Sequence, residues 1–121
     1  MSVEEVAKGL TDLCQAGDFQ ASVEKYYAPN IVSVEAMGRD PVCEGLPAII
    51  GKTQWFVENV DVHGLEVVGP FGNGNTSTFA VGFTLESTVK QKGERTTMRE
   101  VAVSKVEDGK IVHEQFIMYA G

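Results

Sequence analysis

Apolar residues recur at helical spacing in the first half of the chain and at strand spacing in the second. Val3, Val6, Leu10, Leu13 and Cys14 fall on one helical face. Ser2 and Glu5 supply an S-x-x-E capping box, and Met1 and Val6 stand as the hydrophobic staple around it. Gly17 ends this helix and Asp18 caps the next, whose apolar stripe is Phe19, Val23 and Tyr26 or Tyr27. Pro29 is expected to stop it. The β-branched run from Asn30 to Ala36 reads as a strand, and Met37 to Gly45 as a loop. Pro47 suits the first turn of a third helix reaching to about Val60, with Ile49, Phe56 and Val60 buried and Trp55 beside them.

From His63 onward the period shortens. Leu65 to Phe71 is one strand, closed by the turn Gly72-Asn73-Gly74-Asn75. Phe79, Val81, Phe83 and Leu85 alternate along a second. Gln91-Lys92-Gly93 turns into a third, Thr96 to Val106, and Asp108-Gly109 turns into the last, Ile111 to Tyr119. The expected order is α-α-β-α-β-β-β-β. That order describes an α+β fold: a curved, cone-shaped antiparallel sheet packed against three helices from the N-terminal half.

Composition narrows the function classes. The 121 residues make one domain, 1–121. A formal charge of −7, from 10 Lys and Arg against 17 Asp and Glu, disfavours nucleic acid as a partner. No run is long enough to span a membrane, and the acidic start lacks the pattern of a secretory signal. Cys14 and Cys43 have no metal-ligand spacing, and Cys14 lies on an apolar stripe, so a cytoplasmic protein without disulfides is expected. The two histidines, His63 and His113, lack partners at metal-site spacing, and no cofactor motif or nucleophile motif is present, so neither metal nor cofactor is expected.

Three local sequences then carry a resemblance. They are Gln15-Ala16-Gly17-Asp18-Phe19, Tyr26-Tyr27-Ala28-Pro29-Asn30-Ile31-Val32, and Val106-Glu107-Asp108-Gly109-Lys110-Ile111-Val112. In this order and separation the chain resembles the SnoaL-like (NTF2-like) proteins, a group that includes ketosteroid isomerases. The resemblance implies a general-base carboxylate at Glu35 and a second acid near Glu100, with Val101 or Ala102 as alternative registers. The oxyanion tyrosine of the isomerase branch falls near Leu10 or Thr11, neither of which carries a phenol. The Asp-Arg-Asp arrangement of the epoxide-hydrolase branch is not evident around Arg99.

Read as residues, each candidate has two environments open to it. Glu35 is either a desolvated base beside apolar walls or the solvated end of a strand. Glu100 shares parity with Met98, Ala102 and Ser104. It is either a cavity acid opposite Glu35 or one half of a surface ion pair. Glu86 has the same ambiguity. Glu114 shares that ambiguity; it alternates with Val112, Phe116 and Met118, an apolar face, and in its buried environment it needs a partner, for which Arg99, Tyr119 and His63 are the candidates. The expected pocket comprises Leu10, Tyr26, Trp55, Phe56, His63, Phe83, Met98, Glu114, Phe116 and Met118. Val101, Val103, Ile111 and Ile117, with His113 beside them, are expected on the face that pairs two copies into a homodimer. The function expected is proton transfer, of isomerase or cyclase type, on a small hydrophobic carbonyl compound. The alternatives are a non-catalytic binder of a small hydrophobic molecule, or a dimeric interaction scaffold.

Overall fold

The computed structural model describes residues 1–72 and 76–119. Its elements are α1 (Val3–Gln15), α2 (Phe19–Tyr26), β1 (Tyr27–Val34), β2 (Val42–Glu44), α3 (Leu46–Asn59), β3 (Val60–Phe71), β4 (Thr78–Val89), β5 (Arg95–Glu107) and β6 (Lys110–Met118). The fold is α+β, with three helices against one six-stranded sheet of order β2-β1-β6-β5-β4-β3.

Local chemistry accounts for the helix starts. Ser2 Oγ accepts from the Glu5 amide at 3.1 Å and the Glu5 carboxylate accepts from the Ser2 amide at 3.2 Å. Asp18 accepts from the Ala21 amide at 3.1 Å. At the other end of the chain, Asp108 and Gly109 both take positive φ, 51° and 75°, the pair a tight hairpin between right-twisted strands requires.

The sheet departs from expectation in three ways. It is mixed rather than antiparallel, because β1 runs parallel to β6. β1 begins at Tyr27, directly after α2, and contains Pro29, which is accommodated where the β1–β6 register shifts between Tyr27 and Val32. The stretch expected to be loop before α3 contains β2, antiparallel to β1 with Ser33 opposite Cys43. The turn at 73–75 lies outside the described residues.

Two bulges reset side-chain parity. On β3, Val62 pairs Ser87 and Gly64 pairs Glu86, which leaves His63 as the extra residue. On β6, His113 pairs Lys105 and Ile111 pairs Val106, which leaves Val112 as the extra residue. Ile111 and Glu114 therefore both face the helices, although three positions apart. Ile111 is fully buried in the core, not on the outer face expected of it.

The core draws on all three helices and on β1, β4, β5 and β6, with Val6, Leu10, Val23, Ile31, Ile49, Phe79, Val81, Val106 and Ile111 among its members. α3 is anchored differently. Ile49 is its one fully buried side chain, Leu46 and Ile50 pack against the core beside it, and Lys52, Thr53 and Phe56 look onto open space.

Candidate active site

That space is a cavity of about 460 Å³ between the concave face of the sheet and the helices. Its walls are largely apolar: Phe19, Val23, Ile49, Phe56, Leu65, Phe83, Leu85, Met98 and Phe116 all line it. Met37, Trp55 and Met118, which are 66%, 48% and 42% exposed, form its rim. Buried Cys14, Ser22, Tyr27 and Glu114 line its inner end.

Strand alternation brings three carboxyls into this apolar space. Ile31 and Ser33 point inward from β1, and Glu35, the residue after the strand, keeps their parity. A backbone hydrogen bond of 2.7 Å from the Glu35 amide to the Pro41 carbonyl fixes the chain there. On β5, Met98, Glu100, Ala102 and Ser104 share the inner face, and Glu100 lies opposite Phe83 on β4 and Met118 on β6. Glu114 enters from β6, opposite Ser104 on one side and Ser33 on the other.

Each carboxyl has a different environment. Glu35 is ion-paired with Lys52 of α3, whose ammonium also sits 5.8 Å from the centre of the Phe116 ring. Glu114 is only 3% exposed and accepts hydrogen bonds from the Tyr27 phenol and, at 2.9 Å, from Ser33 Oγ. Burial holds its pKa above the ordinary carboxylate range, although both hydroxyls and the Lys52 ammonium pull the other way. Burial, followed by the Glu114 carboxylate, keeps Tyr27 protonated far above its ordinary value. Glu100 has no hydrogen-bond or ion-pair partner among the described residues. Desolvation first, then the charges of Glu35 and Glu114, push it up to about 7, against a smaller opposing pull from Lys52.

The remaining polar groups are inert by comparison. Burial raises the Cys14 thiol to about 11, so it is a neutral wall and not a nucleophile at ordinary pH. No group of three or more His, Cys, Asp or Glu among the described residues is placed to hold a metal ion, so the three carboxyls are not a cation cage.

Of the residues picked out by sequence, Glu35, Glu100, Trp55, Phe56, Phe83, Met98, Glu114, Phe116 and Met118 come together around this cavity. Leu10, Tyr26 and His63 do not. Leu10 packs in the core beneath it. Tyr26 turns toward α1, where its phenol occupies the notch left by Gly9: a Cβ there would stand 1.8 Å from the phenol oxygen. His63 is exposed at the β3 bulge, its Nε2 2.7 Å from Thr88 Oγ1. The partners of Glu114 are Tyr27 and Ser33, not Arg99, Tyr119 or His63. Glu86 is a surface residue, 3.5 Å from Arg95.

Two partners of the cavity carboxyls, Lys52 and Ser33, escaped the sequence reading, and one of them left a signal. Lys52 stands three residues after Ile49 and four before Phe56, so a lysine interrupts the buried face of α3. Ser33 left none, because an inward serine on a strand becomes meaningful only when its neighbour is known.

A family model described as a SnoaL-like domain matches residues 1–118. A crystal structure from Mesorhizobium loti, provisionally described as a SnoaL-like polyketide cyclase with carbohydrate phosphatase as a second label, superposes with a TM-score of 0.89. It is 44% identical, with 99% of this chain and 100% of that one covered. A Bacillus subtilis protein provisionally described as an isomerase has a TM-score of 0.77 at 16% identity, covering 98% and 90% of the two chains. An NTF2-like protein of unknown function from Burkholderia pseudomallei has a TM-score of 0.74 at 17% identity, covering 98% and 92%. The last two likenesses concern the fold alone. No curated protein matches the chain. Match length and identity together place it: the chain belongs to the SnoaL-like family.

Proposed function

We propose that the protein moves a proton on a small, hydrophobic carbonyl compound held in the cavity, as an isomerase or cyclase does. One observation carries this reading. Two carboxyls face a single apolar space in different surroundings, Glu35 ion-paired to Lys52 and Glu100 without a partner among the described residues and desolvated to about 7. Such divergence separates an acid from a base at one pH. Glu35 takes the proton from the carbon next to the carbonyl. Glu100, in the molecules that keep its proton, donates a hydrogen bond to the oxygen on which negative charge develops. The Lys52 ammonium lies close enough to share that charge once Glu35 is neutral. The polyketide-cyclase description of the Mesorhizobium relative is in keeping with a carbonyl substrate.

The test needs a probe rather than the natural substrate. A bicyclic ketone such as 2-tetralone, incubated with the protein in deuterated water, should acquire deuterium beside its carbonyl faster than in buffer. Glu35→Gln should lower that rate by at least about a hundredfold, the ordinary scale of a positioned base. Equal wash-in by both proteins would remove Glu35 from the mechanism.

A second reading is favoured by the Lys52–Glu35 ion pair itself. A carboxylate already engaged by an ammonium must exchange partners before it accepts a proton, which suits a binder that performs no chemistry. Saturable binding of the ketone without wash-in above buffer would establish it.

The same proposal includes pairing of two copies through the outer face of the sheet. Val68, Gly82, Val101 and Ile117 form one cross-strand row on that face, and Val68 and Ile117 are 42% and 51% exposed. Ile117→Asp should convert a dimer to a monomer in light scattering, and a monomeric wild type would sink the pairing. The free thiols of Cys14 and Cys43 suit a reducing compartment, and the cytoplasm completes the reading.

A further inference from the structure

We propose that the cavity selects its ligand by charge: it admits uncharged or cationic apolar molecules and rejects anions of the same shape, with Glu100 as the discriminating residue. This inference rests on the cavity as a small-molecule site, and it does not require turnover.

The geometry carries it. Every ionisable group facing the inner space is a carboxyl, a phenol, a thiol or Lys52. Lys52 is the one cation in the lining, and Glu35 already occupies its ammonium. Glu114 has its two hydroxyl donors, Tyr27 and Ser33, which leave it no need of a ligand. Among the described residues Glu100 alone of the three carboxyls has no partner, on the wall between Phe83 and Met118. A ligand entering past Trp55 and Met118 therefore meets a free carboxyl and no free cation.

For an uncharged ligand, a protonated Glu100 supplies a hydrogen-bond donor. For an ammonium, an ionised Glu100 supplies a charge-assisted acceptor. A carboxylate or phosphate can use only the donor of protonated Glu100, loses it when Glu100 ionises, and is desolvated beside Glu100 and Glu114 in either case. The charged groups that face Glu100 are Glu35 from the end of β1, Glu114 from β6 and Lys52 from α3. Glu35 and Lys52 compensate each other as an ion pair, which leaves Glu114, when ionised, as the remaining group that repels an anion. Rejection should deepen as Glu100 ionises through its value of about 7.

Three adamantane derivatives of one shape test the rule: 1-adamantanol, protonated 1-adamantylamine and 1-adamantanecarboxylate. All are transparent where tryptophan emits, and Trp55, the single tryptophan, stands at the cavity rim. Titrations are read at about pH 6 and about pH 8, on either side of the Glu100 value. The alcohol and the amine should bind. The carboxylate should bind at least about tenfold more weakly than the alcohol at the higher pH, with a smaller gap at the lower one. Glu100→Gln should narrow the gap, and methyl shifts of Met98 and Met118 should report the same site in both proteins.

A carboxylate that binds as tightly as the alcohol overturns the charge rule while leaving the cavity reading standing. It would mean that Lys52 leaves Glu35 for the ligand. An unchanged gap in Glu100→Gln overturns the assignment to Glu100. If no probe binds, the cavity reading itself falls. Wash-in of deuterium into the ketone does not depend on the charge rule or on its assignment to Glu100, so their failure is distinguishable from failure of the proton-transfer reading.

Discussion

Replacing Glu100 with Gln should change how stability depends on pH, and the size of the change follows from where the side chain sits. Glu100 is held at about 7 against an ordinary value of 4.5. Between those two pH values the folded chain keeps a proton that the unfolded chain has released, so stability falls as pH rises across that window. The full effect of such a displacement is about 3 kcal/mol at 1.36 kcal/mol for each pH unit. Glu100 is partly open to the cavity mouth, and solvent screening reduces this to about 1–2 kcal/mol. The neutral amide keeps the shape of the side chain and has no proton to lose. Urea unfolding at a series of pH values from about 4 to about 9 should therefore give two diverging curves. The two proteins should differ least at the acid end, and Glu100→Gln should gain about 1–2 kcal/mol relative to wild type above about pH 8. Glu114 slopes the same way in both proteins and cancels from the comparison. Parallel curves would refute the reasoning, because they would mean that Glu100 ionises in the folded chain as it does in the unfolded one.

Three further changes probe the surroundings of the cavity. Tyr27→Phe removes a donor from the buried Glu114 carboxylate and should cost about 1–3 kcal/mol in urea unfolding. That loss should be larger at alkaline than at acid pH, because only ionised Glu114 depends fully on its donors; a pH-independent loss would contradict it. Ile49→Ala withdraws the one buried anchor of α3 and should cost about 2–5 kcal/mol, with hydrogen exchange accelerated first along Leu46–Asn59. Gly9→Ala forces a methyl into the space of the Tyr26 phenol and should lower the melting temperature, and the double change Gly9→Ala with Tyr26→Ala should recover part of the loss in a double-mutant cycle.

Much of the site was legible because it depends on parity within single strands. Glu100, Met98 and Ala102 are two residues apart on a regular strand, so their common face could be read directly. The Ser2–Glu5 box and the Asp108-Gly109 turn were legible for a related reason: their chemistry is complete within a few residues. What failed depends on relations between strands. The Val112 bulge is created by register against β5, and it moved Ile111 from an expected outer face into the core. The His63 bulge likewise arises against β4 and keeps the imidazole out of the cavity. The parallel pairing of β1 with β6 joins residues about eighty positions apart, and it brings Ser33 to Glu114. The choice between Tyr26 and Tyr27 turned on the helix end: α2 stops between them, so one phenol packs on Gly9 and the other enters the cavity.

The central claim is that Glu100 is a carboxyl without a partner among the described residues, facing a desolvated cavity. Carbon NMR titration of the glutamate side-chain carboxyls, with Glu100→Gln identifying one resonance, tests it most directly. The account expects that resonance to titrate near about 7, and its midpoint to rise when Lys52→Met removes the one opposing charge. A Glu100 midpoint close to 4.5, unmoved by Lys52→Met, would contradict it.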